Sequence, residues 1–461
     1  MKQLEANGVR SIPGVMLSRA IILWAVLFAF FQLMLWPRYS EPNDWTALWV
    51  AGEFFAQGRI DQIYAYYPGD FSRIADGPWR EALHNLHQGW NGLYLEGHPF
   101  VHAPIVAIVM GLVTKVLTFS QSVMLLLFLS SFMLVIMIAA AYFMWMRRSI
   151  PLLYLIVASL VFVTTEPAQF SLYYGQTSLL IYGGLILGVA ISKRHPWAAG
   201  ILLGLVSIVK ISPIAIIVML FLFQGRRKAG AVGLASTALG FGLSYLLGGR
   251  ELWQAWLDTM GRIGNEAIIS FTNVSYTSVR LIDLHDPLMR GATVVTDPPI
   301  VLSLLPMAFF ATLAALTYLV VVVRQVQAFP MLISQAIIIS MMTPSIVWYH
   351  YFVALPVVVL GILVTRSPQW VKYPLVFFGV SMFYSPFIGF DNPWLSIDRP
   401  YQTAPLIVGS VFVIALIALY YVDARWGIQE DRQIARMRPD ESVAIAHRRA
   451  PLLHRMFNLP S

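Results

Sequence analysis

Four polar side chains stand where long apolar runs begin or end: Asp44 in SEPNDWTALWVAGEFF, Gln176 in YYGQTSLL, Lys210 in GLVSIVKISP and His350 in TPSIVWYHYF. Ionisable groups at membrane depth are costly, so each position calls for a function. A carboxylate in partly apolar surroundings, as at Asp44, suits a general base. A lysine suits a lipid phosphate, and an imidazole can bond a phosphate oxygen or protonate a leaving group. Plainer roles compete. Asp44 follows Pro42 and Asn43 at the start of a helical pattern and suits an N-cap. Lys210 suits a lysine snorkelling to an interface, and His350, among Trp348, Tyr349 and Tyr351, suits an aromatic belt. Gln176 suits a tie between helices.

The stretch FTNVSYTSVRLIDLHDP adds Asn273, Ser275 and Arg280, the mixture of amide, hydroxyl and guanidinium that hydroxyl-rich substrates and phosphates need. Asn273-Val274-Ser275 also fits the N-x-S glycosylation pattern. Metal chemistry finds little support. His98 and His102 in GHPFVHAP are four apart, but Pro99 and Pro104 interrupt the helix that would align them. There is no H-E-x-x-H, Walker or dinucleotide-binding motif. The absence of cysteine removes disulfides, thiolate metal sites and thiol nucleophiles. No cofactor is expected, and metal use stays open.

The elements that must position these groups are set by composition. With 461 residues, 58% hydrophobic, 12% charged and mean hydropathy +0.69, the chain has too little polar surface to cover a soluble globule. Thirteen apolar stretches fall near residues 17–37, 99–118, 121–146, 150–166, 176–192, 197–209, 211–224, 229–247, 299–323, 329–347, 351–366, 373–389 and 404–422. This predicts an all-α polytopic membrane protein. Basic clusters such as Arg147/Arg148, Lys193/Arg194 and Arg226/Arg227/Lys228 mark the cytoplasmic side, together with both termini. Counting from either end requires an even number of crossings, so about twelve transmembrane helices are expected, and the surplus stretch lies between 99 and 166. The net charge of +8 is dispersed over span ends, which speaks for membrane topology and against nucleic acid.

Loops 38–98 and 248–298 then face outward. They hold eight and six of the 23 Asp and Glu residues, so the outer face is acidic. Their segments DWTALWVAGEFFAQG and ELWQAWLDTMGRIG read as helices lying in the membrane interface, roofing a cavity. Residues 1–422 form one transmembrane module, and residues 423–461 a basic cytoplasmic tail.

In their order, the carboxylate after the first span, GQTSLL, AAGILLGLVSIVKISPIAIIVMLFLFQGRRK, the Asn/Ser/Arg loop and MMTPSIVWYHYFVALP form a set that resembles glycosyltransferase family 87. The most specific blocks are Gly175-Gln176 through Lys210-x-x-Pro213, and Pro344-x-x-x-Trp348-x-His350. The resemblance implies the GT-C fold. It also implies a polyprenyl-phosphate sugar donor, with mannose the best-known sugar, and a lipid-linked or glycan acceptor outside the cytoplasmic membrane. It makes Asp44 the catalytic base of an inverting displacement. Lys210, His350 and Arg280 then hold the donor phosphate, and Gln176, Asn273, Ser275, Trp348 and Tyr349 contact substrate. The competing functions are a transporter or flippase of lipid-linked sugars, and an O-antigen ligase or polymerase using a diphosphate donor.

Overall fold

The computed structural model describes residues 17–65, 77–87, 99–269, 293–302, 328–342, 346–364 and 369–381, with single positions or short runs between 273 and 281 and between 304 and 315. His98, Arg280, the stretch 404–422 and the tail 423–461 lie outside the described residues. The helices whose bounds are described begin with α1 (Arg19–Leu35), α2 (Asn43–Ala56), α3 (Pro78–His87), α4 (Pro104–Val113) and α5 (Phe119–Met146). They continue with α6 (Leu152–Val163), α7 (Glu166–Tyr173), α8 (Ser178–Ile191), α9 (Pro196–Val209), α10 (Pro213–Met219) and α11 (Arg227–Gly264). Last come α12 (Ala328–Met342), α13 (Leu355–Val364) and α14 (Gln369–Ser381).

Among the described residues three helices are long and apolar enough to cross a membrane: Arg19–Arg38, Phe119–Met146 and Arg227–Gly264. On α1, Leu23, Leu27, Phe30 and Met34 form an exposed apolar stripe, while Ile21, Ala25 and Phe28 are buried. A helix apolar on its exposed face belongs in lipid. The 28-residue α5 is the hub. Thr118 and Gln121 close its start in a reciprocal capping box, and α1, α8 and α13 pack along it. The other apolar helices are shorter, and α4, at 10 residues, is only about 15 Å long at 1.5 Å per residue. Between 99 and 166, α5 alone has the length of a full span.

Two expectations need correction. The chain is mostly but not wholly helical. After α11, β1 (Glu266–Ile269) pairs antiparallel with β2 (Thr293–Thr296), Ile268 opposite Val294. β-Branched residues on both strands favour this ladder over another turn of helix. Second, DWTALWVAGEFFAQG forms the expected helix, α2, but it does not lie on a surface. Trp49, Val50, Ala51 and Phe54 are buried, and α2 packs on α4 so closely that a Cβ on Gly52 would meet Met110 Cβ at 2.6 Å. Its aromatic residues fill a core.

The segment ELWQAWLDTMGRIG follows the apolar half of α11 without a loop. The two halves join at Gly249, whose φ of 74° and ψ of 174° break the helical path. The apolar half packs against α9, where a Cβ on Gly204 would lie 2.5 Å from Ser236 Cβ. Small residues let the two backbones approach, the usual packing solution where lipid supplies no hydrophobic drive. That contact fixes the end of α9, and with it Lys210.

Candidate active site

Asp44 sits in the first turn of α2. The N-cap position belongs to Pro42, which has no capping side chain, so the capping reading of Asp44 fails. Its carboxylate instead accepts a hydrogen bond from Gln176 Nε2. Its backbone N–H donates to the Tyr174 carbonyl at 3.1 Å. The turn 174–176 can dock here because Gly175 has φ of 65°, and a Cβ there would stand 2.9 Å from Pro42 Cβ and 3.0 Å from Trp45 Cβ. Only glycine occupies that conformation and that gap at little cost. Trp45 is tied in turn to Ser122 of α5 by an indole hydrogen bond of 2.9 Å.

Lys210 lies in the break between α9 and α10, its backbone extended at φ −138°, ψ 122°. The break follows from Pro213, which has no N–H to offer the carbonyl four residues earlier. That carbonyl, of Val209, takes its hydrogen bond from His102 Nδ1 at 3.0 Å. The Lys210 ammonium sits 2.9 Å above the centre of the Tyr351 ring and 5.4 Å from that of Tyr182. Its Nζ is buried and makes no hydrogen bond among the described residues. Aromatic faces attract a cation but leave its three donors unused.

The segment before α13 brings the remaining groups. Trp348 is extended and bridges to Asn273, and Tyr349–Ala354 then coils as a 3-10 turn. Trp348, His350 and Tyr351 line one cavity of about 480 Å³, and Asp44, Gln176 and Lys210 line it too. Tyr349 turns away: its hydroxyl donates to Glu166 Oε2 at 2.7 Å. The structure thus brings together five of the nine residues singled out in the sequence.

The other four are placed otherwise. Arg280 is outside the described residues. Tyr349, Asn273 and Ser275 are not among the residues lining the cavity. Asn273 is a buried clip: Nδ2 donates to the Ile268 carbonyl at 2.6 Å, and Oδ1 accepts from Val347 N at 2.9 Å and Ser275 N at 3.1 Å. It fastens the hairpin strand β1 to the segment carrying Trp348 and His350. Ser275, also buried, accepts from Ser278 N at 3.1 Å.

Two further residues support the site in ways their sequence context does not announce. Glu166, at the start of α7, lay at the edge of an apolar stretch, yet it anchors Tyr349 beside His350. His102, whose spacing from His98 suggests only a poor metal ligand, lines the cavity next to Lys210. The signal for it was Pro213, which orphans a carbonyl that something must satisfy.

The site therefore offers a carboxylate, an ammonium without a hydrogen-bond acceptor among the described residues, two imidazoles and aromatic faces in one pocket at the ends of apolar helices. Two proteins show sequence similarity to parts of the chain. Both are described as polyprenol-phosphate-mannose-dependent alpha-(1-2)-phosphatidylinositol mannoside mannosyltransferases. The one from Mycobacterium tuberculosis is 29% identical over 119 residues, which is 25% of this chain and 27% of that protein. The one from Mycolicibacterium smegmatis is 24% identical over 141 residues, 30% of this chain and 31% of that protein. The chain thus covers less than a third of the length of either relative. The family model for glycosyltransferase family 87 extends further, over residues 100–344, and takes in Gln176, Lys210 and the Asn273 clip. Since that match covers more than half of the 461 residues, the chain belongs to glycosyltransferase family 87.

Proposed function

We propose that the protein transfers a sugar, with mannose the first choice, from a polyprenyl-phosphate donor to a hydroxyl of a lipid-linked or glycan acceptor. The reaction takes place on the outer face of the cytoplasmic membrane, with the termini and the tail 423–461 inside and a GT-C arrangement of helices around the site. The observation that carries this reading is the shared cavity: Asp44 stands in the same pocket as Lys210 and His350.

In this scheme Asp44 takes the proton of the acceptor hydroxyl, whose oxygen attacks the anomeric carbon. The bond from that carbon to the phosphate oxygen breaks, and the phosphate leaves with the electron pair. Lys210 and His350, joined by Arg280, neutralise it. One displacement inverts the anomeric configuration. Gln176, bonded to Asp44, holds the carboxylate in place without taking its charge. A phosphate suits Lys210 because it supplies the acceptors that the ammonium lacks. The names of the two mycobacterial relatives support mannose and a lipid-linked mannoside acceptor.

The test is to incubate purified protein with radiolabelled polyprenyl-phosphate mannose and mannoside acceptors. Wild type should form an inverted product, and Asp44→Asn should lose about 10²- to 10⁴-fold in rate, the usual worth of a general base. Undiminished transfer by Asp44→Asn sinks the assignment. Movement of intact donor across vesicles would mark a transporter instead.

A further inference from the structure

His102 is held by three separate contacts. Its backbone carbonyl accepts a hydrogen bond from the Tyr64 hydroxyl at 2.6 Å, its ring stands 5.8 Å from that of Phe100, and Nδ1 meets the Val209 carbonyl at 3.0 Å. A carbonyl only accepts, so Nδ1 carries the proton. In the neutral ring Nε2 is then an acceptor, and it makes no hydrogen bond among the described residues. The residue is half-buried in the loop ahead of α4, and it lines the cavity. The pocket therefore contains one imidazole locked as an acceptor beside one ammonium that can only donate.

These roles cannot be exchanged. A phosphate monoanion or ester oxygen needs donors, which a neutral Nε2 does not supply, whereas a sugar hydroxyl has a proton to give. We infer that His102 is a specificity-determining contact whose Nε2 accepts a hydrogen bond from a sugar hydroxyl, on the donor sugar or on the acceptor mannoside. This rests on the transferase reading above and adds to it the residue that selects the sugar. A site built to bond a hydroxyl discriminates against the analogue lacking it, because its own polar group is then left unmatched.

The bland alternative is that His102 serves only to satisfy Val209. Two substitutions separate the roles. The amide of Asn overlays Nδ1, so His102→Asn keeps the tie to the carbonyl and removes the Nε2 acceptor. The amide of Gln overlays Nε2, so His102→Gln restores an acceptor in the cavity. The experiment measures transfer and, independently, binding by calorimetry in detergent. The probes are polyprenyl-phosphate mannose, its 2-, 3-, 4- and 6-deoxy forms, and the matching deoxy alkyl mannosides as acceptors.

Wild type should lose at least about tenfold in kcat/KM with one of these deoxy compounds, the scale of a lost hydrogen bond with its partner stranded. His102→Asn should lose as much with the natural substrates, show no further loss with that same compound, and melt like wild type. His102→Gln should recover part of the activity. Whether the sensitive compound is a donor or an acceptor tells which sugar His102 reads. The inference is overturned if His102→Asn matches wild type, or if it stays as sensitive as wild type to every hydroxyl removed. A wild type that binds the donor without transferring it breaks the transferase reading alone, since selection by His102 is still read in the binding constants. A wild type that binds none of the probes overturns both.

Discussion

The Tyr349 hydroxyl donates to the Glu166 carboxylate across a buried contact of 2.7 Å, joining segments 183 residues apart in the chain. Glu166 begins the short helix α7, which leads directly into the turn Tyr174-Gly175-Gln176, and Tyr349 immediately precedes His350. The bond therefore ties the support of Asp44 to the residue assigned to the phosphate. Tyr349→Phe leaves a buried carboxylate short of a donor, at a cost of about 1–3 kcal/mol. Replacing both partners with apolar groups, Tyr349→Phe with Glu166→Leu, should recover much of that loss. Thermal melting in detergent and kcat for the three variants form the cycle, and strictly additive effects would show that the contact is idle.

Gly175→Ala should cost activity without unfolding the protein. The new methyl group presses on Pro42 and Trp45, so Gln176 and the start of α2 shift apart by a fraction of an ångström. Misplacement of about 1 Å at a reacting group is worth about 10² in rate. The expected result is a fall in kcat with donor affinity nearly unchanged, measured by initial rates against isothermal binding.

Lys210→Met should separate binding from stability. Methionine fits the same aromatic slot beside Tyr351 and Tyr182 and carries no unpaired charge, so the variant should melt at or above the wild-type temperature. Donor binding should weaken by roughly 10- to 100-fold, the value of one charge-assisted hydrogen bond. A lower melting temperature with unchanged donor affinity would mean that the ammonium serves the fold and not the phosphate.

The pocket was legible in the sequence where a backbone rule stood behind the residue types. Gly175 before Gln176 marks a turn that only glycine makes against Pro42, and Pro213 after Lys210 marks a helix that must break there. Where the meaning depended on packing, the sequence was silent or misleading. The aromatic residues of α2 suggest an interface, and only the close approach of Gly52 to Met110 reveals that they are core. Asn273 and Ser275 have the chemistry of a sugar site, yet hydrogen bonds to backbone occupy them. Glu166 looked like the end of a hydrophobic run because its partner lies far away in sequence. Lengths of apolar sequence, on which the number of crossings rests, do not distinguish a span from a short helix such as α4 or α6.

Asn273→Ala should destabilise the β1–β2 pair, since it removes the bonds to Ile268, Val347 and Ser275. At about 0.5–1.5 kcal/mol for each of the three, the loss is about 1.5–4.5 kcal/mol. Limited proteolysis should cut the variant faster between β1 and the cavity. Asn273→Asp, which keeps both acceptor bonds and loses the donor, should fall in between. A variant that resists protease like wild type but shows raised KM would return Asn273 to the role of substrate contact.

The hinge at Gly249 connects a bilayer-length rod to a stub that reaches the pocket, because Trp256, Met260 and Ile263 on the far side of the hinge line the cavity. Through this elbow a single stretch of chain serves two structures at once, the packed pair with α9 and the wall of the cavity.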